Sequence, residues 1–185
     1  MKLESIHIQH YKSLGDVRLD FKTPITVIVG PNAAGKSNLV DCLRFVRDAV
    51  VHDLEHAVSV RGGIGRIRQY SKTKPYKVTI DLRLVQQFND FPDQPASYEL
   101  TLKSLAAGNY RVESERADFH EHAYWKETTS GTYDPVIKEG WGASSFQRDV
   151  SGKVSPVSQF YDAHLPTEQL ALGRHRFFGQ HPLSD

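Results

Sequence analysis

The chain has 185 residues, of which 39% are hydrophobic and 24% are charged, and its formal net charge is +1. This composition predicts one globular domain or one large lobe, and the balanced charge gives no indication of a nucleic-acid or membrane partner. There is no apolar run of about 18 residues, so we expect no membrane span. Cys42 is the single cysteine, so no internal disulfide can form, and we expect it to be a small buried residue on a helix. These features favour the cytoplasm.

Two short strands are predicted at the start of the chain. Ile6 and Ile8 share one face of the first strand, and apolar residues alternate with charged ones over residues 17–21. Residues 12–16 between them have the composition of a turn. The pattern therefore predicts an antiparallel hairpin.

A third strand and a helix are predicted next. Residues 25–29 form an apolar and β-branched run without alternation, which is typical of a strand buried on both faces in a parallel sheet. From Lys36 to near His52 the apolar residues recur at the spacing of an amphipathic helix, namely Leu39, Leu43, Val46 and Val50.

The remainder of the chain is predicted to be rich in strands. After a glycine-rich loop at residues 61–65, alternating segments separated by turn residues predict an antiparallel meander over residues 78–84, 98–102, from 110 onward, and 120–128. The composition of residues 129–156 predicts no particular element, and a helix start is expected at residues 167–172.

One motif indicates chemistry. Residues 30–37 match the pattern G-x-x-x-x-G-K-[ST] in full, between a predicted buried strand and a predicted helix. Glycines allow the backbone to approach phosphates, the N–H groups form an anion nest at the helix N-terminus, the lysine contacts the β- and γ-phosphates, and the serine hydroxyl ligates Mg²⁺. We therefore expect ATP and Mg²⁺ as ligands, with the Mg²⁺ on Ser37. The predicted site consists of Gly30, Pro31, Asn32, Ala33, Ala34, Gly35, Lys36 and Ser37.

This part of the chain resembles a known family. Residues 8–14, 25–29 and 30–39 are similar to the start of an ABC-type ATPase head, and more narrowly to AAA-family ATPases of the RecF/SMC/OLD kind. The Gly-Pro-Asn opening of the loop and the asparagine that follows its serine, Asn38, are typical of that group. The Arg-Gly-Gly-Ile sequence at residues 61–64 is shared with small prokaryotic members. The resemblance covers residues 1 to about 70.

The resemblance implies an α/β fold, in which the phosphate-binding loop lies on a mixed sheet beside an antiparallel β subdomain. The chain would be the N-terminal lobe, divided into residues 1–60 with the hairpin, loop strand and helix, residues 61–130 with the antiparallel lobe, and an irregular and helical segment at 131–185. It also implies that two heads close on two ATP molecules and reopen on hydrolysis. Expected partners are a second head and DNA or a nuclease, in DNA repair or anti-phage defence.

Further site residues follow from the same resemblance. Lys12 and Ser13 match the family motif near the nucleotide, although a solvated turn is the alternative. The family also needs an apolar strand ending in Asp-Glu and a signature loop, and neither is found. The nearest acidic candidate, Asp81, lies in an alternating strand and lacks the glutamate. Gln169 and Gln147 are candidates for the switch glutamine. We therefore expect an incomplete ATPase domain that binds nucleotide weakly alone and does not hydrolyse it.

Other patterns keep a functional and a structural interpretation open. His52 and His56 could clamp a metal on a helix, and His120 and His122 on a strand, but no third ligand is evident. The basic tail with His175 and His181 could form an interface. A basic run could contact DNA or be a solvated surface, and consists of Arg61, Arg66, Arg68, Lys72, Lys74 and Lys77.

Two rival functions also remain. One is a P-loop kinase for a small molecule, against which the long antiparallel insert argues. The other is a non-hydrolysing module in which nucleotide orders an interface with a partner such as a nuclease.

Overall fold

A computed structural model describes residues 1–73, 76–87, 93–127, 133–155 and 170, with the backbone alone for 120–146 and 154–155. The described residues form a seven-stranded antiparallel sheet with helices packed on one face. The strand order is β2-β1-β3-β4-β5-β6-β7. The predicted α/β class with an antiparallel β subdomain is confirmed. Within the described ranges no helix is long and apolar enough to cross a membrane.

The element bounds follow the predicted order along the chain. The strands are β1 Lys2–Tyr11, β2 Leu14–Asp20, β3 Val78–Gln86, β4 Gln94–Ser104, β5 Tyr110–Glu127, β6 Tyr133–Arg148 and β7 Val154–Ser155. The helices are α1 Lys36–Val51, α2 Leu54–Ser59 and α3 Ile64–Ile67, with a 3₁₀ turn at Ala106–Gly108 between β4 and β5.

The hairpin, the helix and the meander are confirmed, with four differences in extent. The hairpin turn is only Lys12 and Ser13. The segments predicted from residue 110 and over 120–128 are one strand, β5, because no glycine or proline interrupts that part of the chain. The segment from residue 131, which is expected to be irregular and helical, contains the strands β6 and β7 among its described residues. Part of the glycine-rich loop at residues 61–65 belongs to α3.

Side-chain alternation gives the sheet one apolar and one polar face. Ile6 of β1, Leu82 of β3, Tyr98 of β4 and Ala117 of β5 are cross-strand neighbours, and all are buried. One residue further along each strand, the neighbours are His7, Asp81, Glu99 and Arg116. The two-residue period therefore places the core on one side of the sheet only.

The helices cover the apolar face. Leu39, Cys42, Phe45 and Ala49 of α1 belong to the same buried cluster as the strand residues, together with Leu54 and Ala57 of α2 and Ile64 and Ile67 of α3. Cys42 is fully buried, as predicted, and burial raises the pKa of its thiol to about 12. A thiol held protonated in this way is a packing residue rather than a nucleophile.

The prediction of a buried strand over residues 25–29 is wrong for this structure. These residues form no strand, and Ile25, Val27 and Val29 are 80%, 78% and 85% exposed. A strand buried on both faces needs neighbouring strands to accept and donate its backbone hydrogen bonds. No strand among the described residues runs beside this segment.

The distal half of the apolar face contains a buried polar cluster. Glu115 lies opposite Arg148 across β5 and β6, and both are completely buried. The Tyr98 hydroxyl donates to Glu115 Oε1 at 3.0 Å. Burial, followed by the charge of Glu115, raises the pKa of Tyr98, so this phenol remains a donor. The cluster brings β4, β5 and β6 together through polar groups that need their partners.

Tyr98→Phe tests this cluster. The substitution leaves the buried Glu115 carboxylate without the hydroxyl donor, so we expect the free energy of unfolding to fall by about 1–2 kcal/mol in urea denaturation. Tyr70→Phe is the matched control, because Tyr70 is 78% exposed and should change stability by less than about 0.5 kcal/mol. Equal effects of the two substitutions would contradict a structural role for the buried bond.

Candidate functional site

The phosphate-binding motif forms a tight loop that ends at the start of α1. Ala33 and Gly35 have left-handed φ angles of 64° and 89°. The N–H groups of Asn38 and Leu39 both donate to the Gly35 carbonyl, which closes the first helical turn. Gly35 is the N-cap residue, and no side chain caps the helix there. The N–H groups of the first residues of α1 are therefore available to an external acceptor, such as an anion.

Lys36 folds over the same loop. Its ammonium donates to the carbonyls of Gly30 and Pro31, each at 2.7 Å. The charge therefore lies at the mouth of the loop, held by backbone carbonyls that are weaker partners than a phosphate. Ser37 is exposed on the first turn of α1. Its hydroxyl suits Mg²⁺, which prefers oxygen ligands.

The hairpin turn packs against the end of the loop. Asn38 Nδ2 donates to Ser13 Oγ at 2.7 Å. A Cβ added to Gly35 would lie 2.9 Å from Leu14 Cδ2 and 3.0 Å from Ser13 Oγ, so the turn and the loop are in close contact. The structure thus brings Ser13 to the end of the loop and to Asn38, and Lys12 precedes Ser13 in the same turn.

Asp41 is the common acceptor behind this arrangement. Its carboxylate receives the Lys12 ammonium at 2.6 Å, the Tyr11 hydroxyl at 2.7 Å and Arg61 Nε at 3.2 Å. Burial opposes ionisation of Asp41, but the hydrogen bonds from Lys12 and Tyr11 and the charge of Arg61 outweigh it and lower its pKa. Burial, followed by the bond to Asp41, raises the pKa of the Tyr11 phenol, which therefore stays a donor.

Arg61 is a structural residue of this network. Its side chain is only 6% exposed, donates to Asp48 Oδ2 at 3.0 Å and to the Ala57 carbonyl at 2.8 Å, and lies 5.3 Å from the centre of the Phe45 ring. The interpretation of Arg61 as part of a solvated or DNA-contacting basic run is therefore wrong, because its charge is buried and neutralised. In the same run Lys77 pairs with Glu113, Arg66 and Lys72 are exposed, and Lys74 lies outside the described residues.

Comparison with known proteins decides the family. A family model described as an AAA domain matches residues 5–157. The chain belongs to this family. Its similarity to heads of the RecF/SMC kind, predicted from residues 8–14, 25–29 and 30–39, is confirmed.

Similarity to the curated Smc and RecF relatives lies in short segments, and a third relative matches a longer one. The chain is 45% identical over 47 residues to the chromosome partition protein Smc of Halothermothrix orenii, covering 25% of this chain and 4% of that protein. It is 35% identical over 52 residues to the DNA replication and repair protein RecF of Thermosynechococcus vestitus, covering 28% of this chain and 14% of that protein. An ATP/GTP phosphatase of Helicobacter pylori is 24% identical over 111 residues, covering 60% of this chain and 30% of that protein.

A solved structure from work on ATP-driven dimerization and DNA stimulated activation of SMC ATPases is also similar, with 18% identity and a TM-score of 0.44. The match covers 60% of this chain and 68% of that one. The chain spans only a small part of the curated Smc and RecF relatives.

Asp81 and Gln147, considered from the sequence as catalytic and switch residues, do not lie at the phosphate-binding loop. Asp81 lies on the polar face of β3, with Arg83 Nε at 3.3 Å, and its strand is not the apolar one that the family uses for Mg²⁺. Gln147 is exposed on β6, which three strands separate from β1, roughly 19 Å at the usual strand spacing. Gln169 lies outside the described residues.

The histidine candidates show no metal cluster. The rings of His52 and His56 are 4.8 Å apart, edge to face. In the part of the chain that the structure describes, no three His, Cys, Asp or Glu side chains come together as metal ligands. For His120 and His122 only the backbone of β5 is described, and His175 and His181 lie outside the described residues.

A shallow cleft of about 630 Å³ lies at the opposite end of β1 from the loop. Its lining includes the cations Lys2, Lys22 and Arg83 and the anions Glu4, Asp20 and Asp118. Charges of both signs in equal number do not favour a triphosphate. The open loop at the start of α1 remains the better site for an anion.

Sequence reasoning assigned no role to Tyr11 or Asp41, and it placed Arg61 in a basic run rather than in this network. The sequence contained one indication that Asp41 lies near the site: it follows Ser37 by four residues, so the two share a face of the predicted helix. Nothing in the sequence showed that a strand end, a helix and a turn would converge on that carboxylate.

Gly35→Ala tests the geometry of the loop. The new methyl group would meet Leu14 and Ser13 in a left-handed backbone conformation, so we expect a loss of about 1–3 kcal/mol in unfolding free energy. Gly65→Ala is the matched control: Gly65 lies within α3, and a Cβ there meets nothing within 4 Å. It should be neutral or stabilise by up to about 1 kcal/mol. Equal destabilisation by both would refute the close approach at Gly35.

The acid dependence of stability tests the network around Arg61. The pKa of Asp48 is lowered chiefly by its bond from Arg47, against the effect of burial, and also by Arg61. Because the pKa values of Asp41 and Asp48 lie below the ordinary value of about 3.9, their stabilisation is present above that pH. It is lost as the pH falls through the folded pKa values.

Asp41→Asn and Asp48→Asn should each lose about 1–3 kcal/mol near pH 7. The difference from wild type should shrink between about pH 5 and pH 2, measured by denaturant unfolding. A difference that stays constant over this range would exclude these ion pairs as its source.

Proposed function

We propose that residues 30–37 bind the triphosphate of ATP with Mg²⁺, and that the domain acts as a nucleotide-driven dimerisation switch. The observation that supports this most directly is the uncapped N-terminus of α1 directly after a left-handed Gly35, with the Lys36 ammonium folded over the same loop. An anion cradle with a mobile cation at its mouth is suited to a polyphosphate. The AAA family assignment favours ATP as the nucleotide.

Each residue of the site has a distinct role in this proposal. Lys36 exchanges the carbonyls of Gly30 and Pro31 for the β- and γ-phosphates, to which its charge binds more strongly. The amides of α1 bind the phosphate oxygens, and Ser37 contributes its hydroxyl to Mg²⁺. Ser13 and Asn38, bonded to each other, fix the edge of the loop. Magnesium, when bound, neutralises the charge between the phosphates.

We also propose that hydrolysis needs groups that residues 1–185 do not supply. Residues 25–29 are strongly apolar and exposed, which suits a strand that awaits parallel neighbours. Asp81 lies on the wrong face to serve as the Mg²⁺ and water ligand. The missing acidic strand and signature loop would then come from a complementing segment and from a second head. The chain alone should bind nucleotide weakly and turn over none.

The cellular role is proposed from the relatives. Smc is named for chromosome partition and RecF for DNA replication and repair. These names favour a role in DNA maintenance over a role in anti-phage defence, and DNA over a nuclease as the partner. The family assignment also favours an ATPase over the P-loop kinase alternative.

Lys36→Ala in the full-length protein tests nucleotide binding. Removing the ammonium should raise the Kd for Mg-ATP at least about tenfold in calorimetry, because a charge-assisted contact to phosphate is lost. Lys72→Ala is the matched control, since Lys72 is exposed and remote from the loop in sequence. Unchanged affinity in Lys36→Ala would refute the site.

Two further measurements separate the parts of the proposal. Mg-ATP should increase the molar mass of the full-length protein in light scattering, and Lys36→Ala should abolish the increase. ATP hydrolysis by residues 1–185 alone that disappears in Lys36→Ala would contradict the need for further residues.

A further inference from the structure

Lys12 is held in an unusual way beside the phosphate-binding loop. Its φ angle is 50°, and its N–H donates to the Ile67 carbonyl at 2.7 Å, so its backbone is fixed. Its ammonium is fixed as well, at 2.6 Å from Asp41 Oδ2. The next residue, Ser13, touches Asn38 and the position of Gly35. The long Lys12 side chain is therefore ordered at both ends, with its ammonium on the second turn of α1, the helix that begins at the loop.

Asp41 can hold Lys12 without using up its charge. An ammonium has three donors, and only one is needed for Asp41 Oδ2. The Lys12 side chain is 27% exposed, so the remaining donors can reach solvent or a ligand. Asp41 follows Ser37 by four residues, so the two lie one above the other on α1.

Two further side chains hold the Asp41 carboxylate in place. Arg61 Nε binds Oδ1, and Arg61 is in turn bound to Asp48 and to the Ala57 carbonyl. The Tyr11 hydroxyl donates to Oδ2. The carboxylate cannot follow Lys12 if the ammonium moves, so it acts as a fixed anchor.

We propose that Asp41 is a positioning residue for the nucleotide site: it holds the Lys12 ammonium beside the phosphate-binding loop, where the free donors of that ammonium bind the triphosphate. This rests on the proposed function of residues 30–37. Asp41 touches neither phosphate nor metal and acts only through Lys12.

Two effects of removing the Asp41 charge oppose each other. Loss of a negative charge makes the local potential more favourable for the triphosphate, but the charge of Asp41 is already largely balanced by Lys12 and Arg61, which limits this gain to about twofold. Loss of the anchor returns a four-carbon side chain to many rotamers before it can bind phosphate, and this costs more. The anchor should therefore dominate, and the affinity should fall.

The test is the affinity of the full-length protein for Mg-ATP in Asp41→Asn, with and without Lys12→Met. We expect Asp41→Asn to raise the Kd about three- to tenfold, Lys12→Met to raise it by at least as much, and the double variant to equal Lys12→Met alone. If Asp41→Asn weakened binding only by damaging the fold, it would raise the Kd both with and without Lys12→Met.

Asp48→Asn is the matched control. It removes an acidic partner of Arg61 on the same helix, but Asp48 has no bond to Lys12 and Arg61 keeps its bonds to Asp41 and to the Ala57 carbonyl, so the Kd should stay within about twofold of wild type. If Asp41→Asn does not fold, Asp41→Glu replaces it, because it keeps the charge but displaces the anchor by one methylene. Its weaker effect on the Kd should again disappear in the Lys12→Met background.

The outcomes distinguish the two proposals. If Lys36→Ala leaves Mg-ATP binding unchanged, the nucleotide site itself is wrong. If Lys36→Ala abolishes binding but Asp41→Asn binds as wild type or more tightly, only the role of Asp41 is overturned. An effect of Asp41→Asn that persists in Lys12→Met also overturns it.

Discussion

The Asp41 carboxylate receives hydrogen bonds from three separate parts of the chain: the end of β1, the hairpin turn and the segment after α2. Tyr11, Lys12 and Arg61 supply one donor each, and Asp41 itself belongs to α1. This convergence fixes how the hairpin meets the helix that follows the phosphate-binding loop. Lys12 and Ser13 lie beside the loop because of it. Removing a partner from a partly buried charge costs more than the bond itself contributes. A single substitution in this network is therefore expected to destabilise the fold.

Packing on the apolar face of the sheet makes this convergence possible. The alternation in β1, β3, β4 and β5 places Ile6, Leu82 and Tyr98 under the helices and leaves His7, Asp81 and Glu99 on the other side. At the end of β1, the left-handed His10 interrupts the alternation, and Tyr11 is buried against Phe45. A strained backbone there is offset by burial and by the Tyr11–Asp41 bond. The site therefore depends on the sheet even though the sheet contributes few of its residues.

The phosphate-binding loop is different, because its geometry is mainly local. Gly35 supplies a conformation that other residues adopt with strain, and α1 begins at the next residue. Both features depend on neighbours in the sequence. For this reason the motif is recognisable from the amino-acid pattern alone, and Lys36 and Ser37 occur where that pattern predicts them. Arg61 is the contrasting case, since its position in a basic run indicated a surface residue and its partners bury it.

The sequence by itself determined the hairpin, the amphipathic helix α1, the alternating strands and the loop, because each of these is encoded by residues close together in the chain. It also indicated the family through the loop and the residues around it. Only the tertiary structure decided that residues 25–29 are exposed, that β5 is one long strand, and that Asp41 joins Lys12 to Arg61. Those outcomes depend on which strands are available as neighbours and on which distant charges meet, and no short stretch of sequence contains that information.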